Sequence, residues 1–312
     1  MTFTPDGAFQ ADTAASETEF KSGFMTLVGR PNSGKSTLVN AIVGQKIAIT
    51  ADVAQTTRHR LRAIVNDPLY QLILVDTPGI HKPHDALGEE LNTSALKALE
   101  SVDAVAFLLD ATKPFGRGDQ WILSHLENLK SPCLLVLAKT DLASQQQLDD
   151  QAARATEAFD FHTVLAVSAL TGQGLDEFLG TAVALLPTGP RWFDENATTD
   201  QDISVLVAEF IREKVLHLMT EEIPHAVGVM VTDLTYNKKR DLTSIEAVIY
   251  VDRESLKGML IGKAGERIKT IGSLARVDLE RLFDGHVYLD LKVKLRRNWR
   301  RDANQIRRFG YG

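Results

Sequence analysis

The chain has one cysteine in 312 residues, Cys133. That excludes an intrachain disulfide and the small secreted folds that depend on one, and it suits a reducing cytoplasm. Cys133 opens the apolar run Cys133-Leu134-Leu135-Val136-Leu137, where a buried, inert thiol is expected. No apolar run approaches the roughly 18 residues that a membrane-spanning helix needs. Residues 1–20 lack the basic start and apolar centre of a secretory signal; they are polar and acidic, and a disordered tail is expected there. What remains has the length and apolar content for two domains with ordinary cores.

Basic charge is scarce in the first part of the chain and concentrated in the last. Residues 1–202 hold 15 Lys and Arg against 26 Asp and Glu, whereas residues 203–312 hold 20 against 15. Within 262–308 the balance is 13 basic to 6 acidic. A basic block on an acidic protein predicts an anionic partner for that part, nucleic acid first and a membrane surface second.

The segment Gly29-Arg30-Pro31-Asn32-Ser33-Gly34-Lys35-Ser36 follows a strand-like run and opens onto a helix-like one. Its G-x-x-x-x-G-K-S spacing is that of a phosphate-binding loop. Backbone N–H groups and the helix start would hold a polyphosphate, Lys35 would reach the outer phosphates, and the Ser36 hydroxyl would ligate Mg²⁺. Strands and helices then alternate, predicting a mostly parallel sheet with ligand sites at the strands' carboxyl ends. Strands are expected at 61–65, 72–75, 105–109, 134–138 and 164–167, with helices at 120–129, 154–159 and 175–186. The strand at 72–75 runs into Asp76-Thr77-Pro78-Gly79. There Asp76 would hold Mg²⁺ through water and the Gly79 N–H would sense a terminal phosphate; residues 81–88 are expected to be mobile.

Taken together, Gly29–Ser36, Thr56/Thr57, Asp76–Gly79, Ala138-Lys139-Thr140-Asp141 and Ser168-Ala169-Leu170 resemble the five sequence boxes of translation-factor-type GTPases. The resemblance implies that Asp141 accepts two hydrogen bonds from guanine, that Lys139 lies over the base and that the Ala169 N–H meets the guanine oxygen. It implies a nucleotide site of Gly29, Asn32, Ser33, Gly34, Lys35, Ser36, Thr37, Asp76, Gly79, Lys139, Asp141, Ser168, Ala169 and Leu170. Lys35, Thr57 and Gly79 would serve hydrolysis, with Mg²⁺ on Ser36, Thr57 and Asp76. Asn32 stands where potassium-using relatives supply a ligand, so K⁺ stimulation is expected. Two positions depart from the pattern. Ala138 replaces the box asparagine, which predicts weakened nucleotide binding, and Ile80 replaces a water-orienting glutamine, which predicts slow unaided hydrolysis.

Residues 188–202 read as a linker, dividing a nucleotide domain at 21–187 from a second domain at 203–312. Asp202 is placed to cap a helix ending near Met219. Strands at 227–231 and 245–251, with Tyr236–Arg240 as the turn between them, two helices around Gly262-Lys263-Ala264-Gly265 and a strand at 287–293 complete an α-β-β-α-α-β order. That order with a G-x-x-G loop resembles a type-II KH domain. Gly262, Lys263, Ala264, Gly265 and Lys269, with Arg297 and Arg300 in the basic tail, become candidate RNA contacts. Trp299, Phe309 and Tyr311 would either stack on bases or pack a terminal helix.

A GTPase domain followed by a type-II KH domain resembles the bacterial Era family. Gln55–Arg60, Ile211-Arg212-Glu213-Lys214 and Ile268–Gly272 carry the same likeness. The resemblance implies a monomeric GTP-driven switch that binds the 3′ end of 16S ribosomal RNA during small (30S) subunit assembly. GTP/GDP and Mg²⁺ would be its cofactors, and its membrane contact would be peripheral. The alternative is an RNA-binding scaffold that holds guanine nucleotide with little turnover. A phosphate-loop ATPase or kinase is disfavoured by Asp141.

Overall fold

The computed structural model describes residues 19–51, 53, 56–83, 85–219 and 226–311. The expected N-terminal tail lies outside these up to residue 18, as does Gln55.

The first part alternates as expected: β1 (Lys21–Gly29), α1 (Lys35–Val43), β2 (Leu61–Asn66), β3 (Tyr70–Asp76), α2 (Ala86–Lys97), β4 (Ala104–Asp110), α3 (Arg117–Ser124), β5 (Cys133–Ala138), α4 (Gln145–Ala158), β6 (Thr163–Val167) and α5 (Leu175–Ala184). The sheet order is β2-β3-β1-β4-β5-β6, and every pairing is parallel except β2 with β3. Side chains of β4 alternate between two cores. Ala104, Ala106 and Leu108 pack with Leu27 and Leu134, while Val105, Phe107 and Leu109 pack with Val28 and Leu135. A parallel sheet covered on both faces needs apolar residues at every strand position, which is why these strands read as continuous apolar runs. Strand order reverses at β1, between β3 and β4, so the loop after β1 opens at the crevice where such sheets bind ligands.

Three helices differ from the sequence expectation. Of residues 81–88, expected to be mobile, 86–88 belong to the unforeseen α2, whose N-terminus is capped by Asp85 accepting from the Gly88 N–H at 2.9 Å. Helix α3 starts early because the Asp119 carboxylate accepts from the Gly116 N–H at 3.0 Å. Beyond Ser124 the chain tightens into i+3 turns, such as Leu126 N–H to the Leu123 carbonyl. Helix α4 starts at Gln145, where Ser144 and Gln147 form a capping box; its polar sequence hides the helical period.

The second part contains α6 (Ile203–Leu218), β7 (Val227–Asn237), β8 (Leu242–Val251), α7 (Glu254–Ile261), α8 (Glu266–Phe283), β9 (His286–Leu295) and a short α9 (Ala303–Arg308). Asp202 caps α6 as expected, its side chain accepting from the Ser204 N–H at 2.7 Å. β8 is central, antiparallel to β7 and parallel to β9. Tyr236 and Asn237, assigned to the turn from sequence, belong to β7. A register shift between Val231 and Asp233 breaks the alternation there and hides the strand's second half.

Residues 188–202 lie against the first sheet. Gln71 Oε1 accepts from the N–H groups of Trp192 and Phe193 at 2.7 and 3.0 Å, and the Ile64 N–H bonds the Thr198 carbonyl at 2.9 Å. The two parts also share cores. Ile49, from the loop after α1, is buried among second-part residues including Phe210, Ile211 and Val227. Leu87 and Leu91 of α2 pack with Trp299, Ile306, Phe309 and Tyr311. The last three aromatics are at most 6% exposed. That decides between the two sequence readings: they pack internally and offer no stacking surface. Among the described residues no helix is long and apolar enough to cross a membrane.

Candidate nucleotide site and nucleic-acid groove

The loop after β1 turns under Gly79. A Cβ on Gly79 would stand 2.7 Å from the backbone of Pro31, so only glycine lets the loop after β3 approach this closely. The Ile80 N–H donates to the Gly29 carbonyl at 3.2 Å, fixing that approach. Ile80 itself is 1% exposed and packs with Val28 and Ala95; its side chain points into the core.

Asn32, Gly34, Lys35, Ser36, Thr37, Thr57, Gly79 and Lys139 line one cleft of ≈290 Å³. Gly34 caps α1 in a left-handed conformation, so the first N–H groups of the helix face the cleft without a side-chain cap. Such a terminus favours anions. Ser33, within the loop, is buried. Lys35 Nζ donates to the carbonyls of Gly29 and Arg30 at 3.2 and 3.1 Å. Burial pulls its ammonium down to about 8, against the upward pull of the nearby Asp76 carboxylate.

Ser36 Oγ donates to Asp76 Oδ2 at 2.7 Å and lies 2.8 Å from Thr57 Oγ1. Asp76 is fully buried, and its Oδ1 has no hydrogen-bond partner. Burial lifts its carboxyl above the usual range, while Lys35 and the two hydroxyls pull it down. Two hydroxyls and a carboxylate with an unused oxygen are the hard-oxygen donors that Mg²⁺ prefers, so these residues fit that ion. Of the two threonines weighed from sequence, Thr57 joins this group. The Thr56 hydroxyl donates instead to the Val53 carbonyl at 2.6 Å.

At the far end of the sheet, Ser168 Oγ donates to Asp141 Oδ1 at 2.6 Å. This bond holds the carboxylate while leaving its second oxygen for a ligand. Asp141 and Leu170 are exposed at the ends of β5 and β6, with Ala169 beside them. Lys139 joins this corner to the phosphate loop: its Nζ donates to the Asn32 carbonyl and to Asp110, each at 2.8 Å.

In the second part, α7 ends at Gly262, and Lys263–Gly265 form a single tight turn before α8. Gly262 has φ 74, and a Cβ there would meet Arg267 at 2.8 Å, so the turn requires glycine. Lys263, Ala264 and Lys269 are exposed. Beside them a groove of ≈290 Å³ runs between α8 and β9, lined by Ile268, Lys269, Ser273, Arg276, Tyr288 and Leu289 among others. Tyr288 is 59% exposed, and such a ring offers a face for a base. Arg297 is exposed beyond β9. Arg300 departs from its expected role: it pairs with Asp85, the cap of α2, and so ties the tail to the first part.

Sequence reasoning missed Arg276 and Tyr288, and also the residues that the second part contributes near the nucleotide cleft. His217 of α6 lines that cleft, its Nε2 2.8 Å from the Thr50 carbonyl. The run Ile211–Lys214 had marked this helix as family-like, but no spacing rule connects it to Thr50 or Thr56.

Fold and site together define a phosphate-loop GTPase domain joined to a KH domain. Residues 24–139 match the family described as 50S ribosome-binding GTPases, and residues 222–300 match the KH domain family. The fold superposes on a variant of Aquifex aeolicus Era bound to GDP·AlF4⁻ with TM-score 0.91 and 35% identity, covering 94% of this chain and 100% of that one. A structure of Era in complex with MgGDPNP and nucleotides 1506–1542 of 16S ribosomal RNA matches with TM-score 0.91 and 36% identity, covering 94% and 99%. The chain belongs to the Era family of GTPases.

Proposed function

We propose that the protein is a GTP-hydrolysing switch that binds the 3′ region of 16S ribosomal RNA and assists small-subunit assembly. Residues 21–187 would hold nucleotide, residues 203–312 would hold RNA, and 188–202 would strap the two together. The observation that carries the reading is the convergence of Ser36, Thr57 and Asp76 at the phosphate loop. That trio makes a metal site complete only when the loop carrying Thr57 is in place.

In this reading the N–H groups of Gly34, Lys35, Ser36 and Thr37 and the Lys35 ammonium hold the phosphates. Ser36, Thr57 and Asp76 would hold Mg²⁺, which when bound neutralises phosphate charge. The Gly79 N–H would bond the terminal phosphate, and Asn32 would help hold K⁺. Asp141 accepts the guanine N1–H and amino group, Lys139 flanks the base, and the main chain of Ser168, Ala169 and Leu170 closes the base site. With Ile80 buried, no side chain at that position orients water, so unaided turnover is slow. For RNA, the turn Gly262–Gly265 clamps the backbone while Lys263, Lys269 and Arg297 add charge. We place the protein in the cytoplasm, as a monomer with at most peripheral membrane contact.

Phosphate release from GTP and ATP, in potassium and in sodium, with and without small ribosomal subunits, tests this reading. Slow multiple turnover of GTP alone, faster in potassium, is expected. GTP bound but never turned over would favour the scaffold alternative, and equal use of ATP would overturn the guanine site.

A further inference from the structure

Thr56–Arg60, of which the mechanism above uses only Thr57, and Ile211–Lys214, which it does not use, meet in the fold. Arg212 is fully buried on α6 and donates to the carbonyl of Thr56, the residue before Thr57. Glu209 holds the guanidinium in place, its Oε1 accepting from Nε at 2.7 Å. Glu213, 1% exposed, accepts from the Thr50 N–H at 3.0 Å, and His217 meets the Thr50 carbonyl from the other side. Past Thr57, Arg58 Nη1 donates to the Val227 carbonyl at 2.6 Å, and its guanidinium lies over Tyr311. The loop that delivers Thr57 is thus fixed at residues 50, 56 and 58, each time by the second domain.

We propose that Arg212 and Glu213 of α6, with His217 beside them, are positioning residues for the nucleotide reaction. They hold the main chain at Thr56 and Thr50 so that the Thr57 hydroxyl stands beside Ser36. This rests on the GTPase reading and deepens it: the Mg²⁺·GTP site is built by both domains. Arg212 and Glu213 do not line the nucleotide cleft; His217 lines it only where it bonds the Thr50 carbonyl. Thr57 is needed where metal and terminal phosphate are bound together, so their loss is selective. It weakens Mg²⁺·GTP binding and hydrolysis and spares GDP, whose phosphates rest on α1. A docking surface without this role would change both nucleotides alike.

The test measures dissociation constants for GDP and for Mg²⁺·GDPNP, and the Mg²⁺ concentration for half-maximal hydrolysis, in full-length wild type, Arg212→Met, Glu213→Gln and His217→Ala. Arg212→Met and Glu213→Gln are expected to weaken Mg²⁺·GDPNP by about tenfold and raise the Mg²⁺ requirement, with GDP changing less than about twofold. His217 is exposed, so His217→Ala keeps the fold; it should show the same split at about threefold. A wild-type ratio of GDPNP to GDP affinity in folded Arg212→Met or Glu213→Gln, or in His217→Ala alone where those two do not fold, overturns the proposal. A wild type that binds neither guanine nucleotide overturns the GTPase reading itself.

Discussion

Lys139 Nζ stands 2.8 Å from the main-chain oxygen of Asn32, so the lysine beside Ala138 makes the tie to the phosphate loop that a box asparagine would share. Lys139 holds an unusual left-handed backbone, φ 63, while bonding Asn32 and Asp110 at once. The deficit expected from Ala138 is therefore partial. Ala138→Asn should tighten GDP by about threefold to tenfold, the worth of one added hydrogen bond. Lys139→Met should weaken it by more than about tenfold, because a charge-assisted bond and the loop tie go together. Titration with a fluorescent GDP analogue checks both. No gain in Ala138→Asn would mean that the asparagine's role is fully replaced.

Asp141 keeps one oxygen bonded by Ser168, which orients the carboxylate toward a base that donates twice. Inosine lacks the amino group that supplies the second bond. IDP should bind about tenfold to a hundredfold more weakly than GDP, and ADP should not compete at equal concentration. Asp141→Ala removes the acceptor of both bonds and should bring GDP below the level of IDP on wild type, as read by competition titration.

Between the domains, Lys46 and Lys214 each pair with both Glu213 and Asp278. Burial works to raise the carboxyl groups of Glu213 and Asp278, but their lysine bonds hold both below their ordinary values of 4.5 and 3.8. Burial works to lower Lys214, and its carboxylate partners hold it above its ordinary 10.5. A depressed carboxyl contributes stability that is present above its unfolded value and lost as pH falls through the folded one. A raised lysine contributes stability that is present below its unfolded value and lost as pH rises through the folded one. The cluster's contribution should be constant from about pH 6 to 9 and fade below about 4.5. Thermal unfolding of wild type and Glu213→Gln against pH reads this directly. Their difference should be flat across the neutral range and shrink in acid.

Tyr288 and Lys269 face the groove between α8 and β9 with different chemistry. Tyr288→Ala should weaken single-stranded RNA by about tenfold with an unchanged salt slope, because stacking is uncharged. Lys269→Ala should weaken it less and lower the slope of log affinity against log salt by about 0.7, as one phosphate contact is lost. Gly265→Asp is the milder repulsion test: both glycines hold a left-handed φ that strains any side chain, but only at Gly262 does an added Cβ also collide with Arg267. Filter binding across a salt series separates the cases.

The nucleotide boxes were legible because polyphosphate and guanine chemistry demands fixed residue types at fixed offsets at the carboxyl ends of strands. The two-domain order was legible because continuous apolar strands and an α-β-β-α-α-β pattern leave few arrangements. Helix α2 was hidden because Leu87 and Leu91 bury against Trp299 and Tyr311, partners no local period reveals. The Arg300–Asp85 pair is 215 residues apart in sequence, so a basic tail read as RNA-facing turned partly inward. A separation of 156 residues likewise hid the grip of Arg212 on Thr56.

A GTP-driven switch of this build couples nucleotide state to RNA binding in one molecule. Binding of a fragment equivalent to nucleotides 1506–1542 of 16S ribosomal RNA, measured with the protein saturated first with Mg²⁺·GDPNP and then with GDP, tests it. At least about fivefold tighter binding with GDPNP is predicted, the lower end of ordinary coupling between sites. Equal affinity in the two states, with both nucleotides bound, would contradict it.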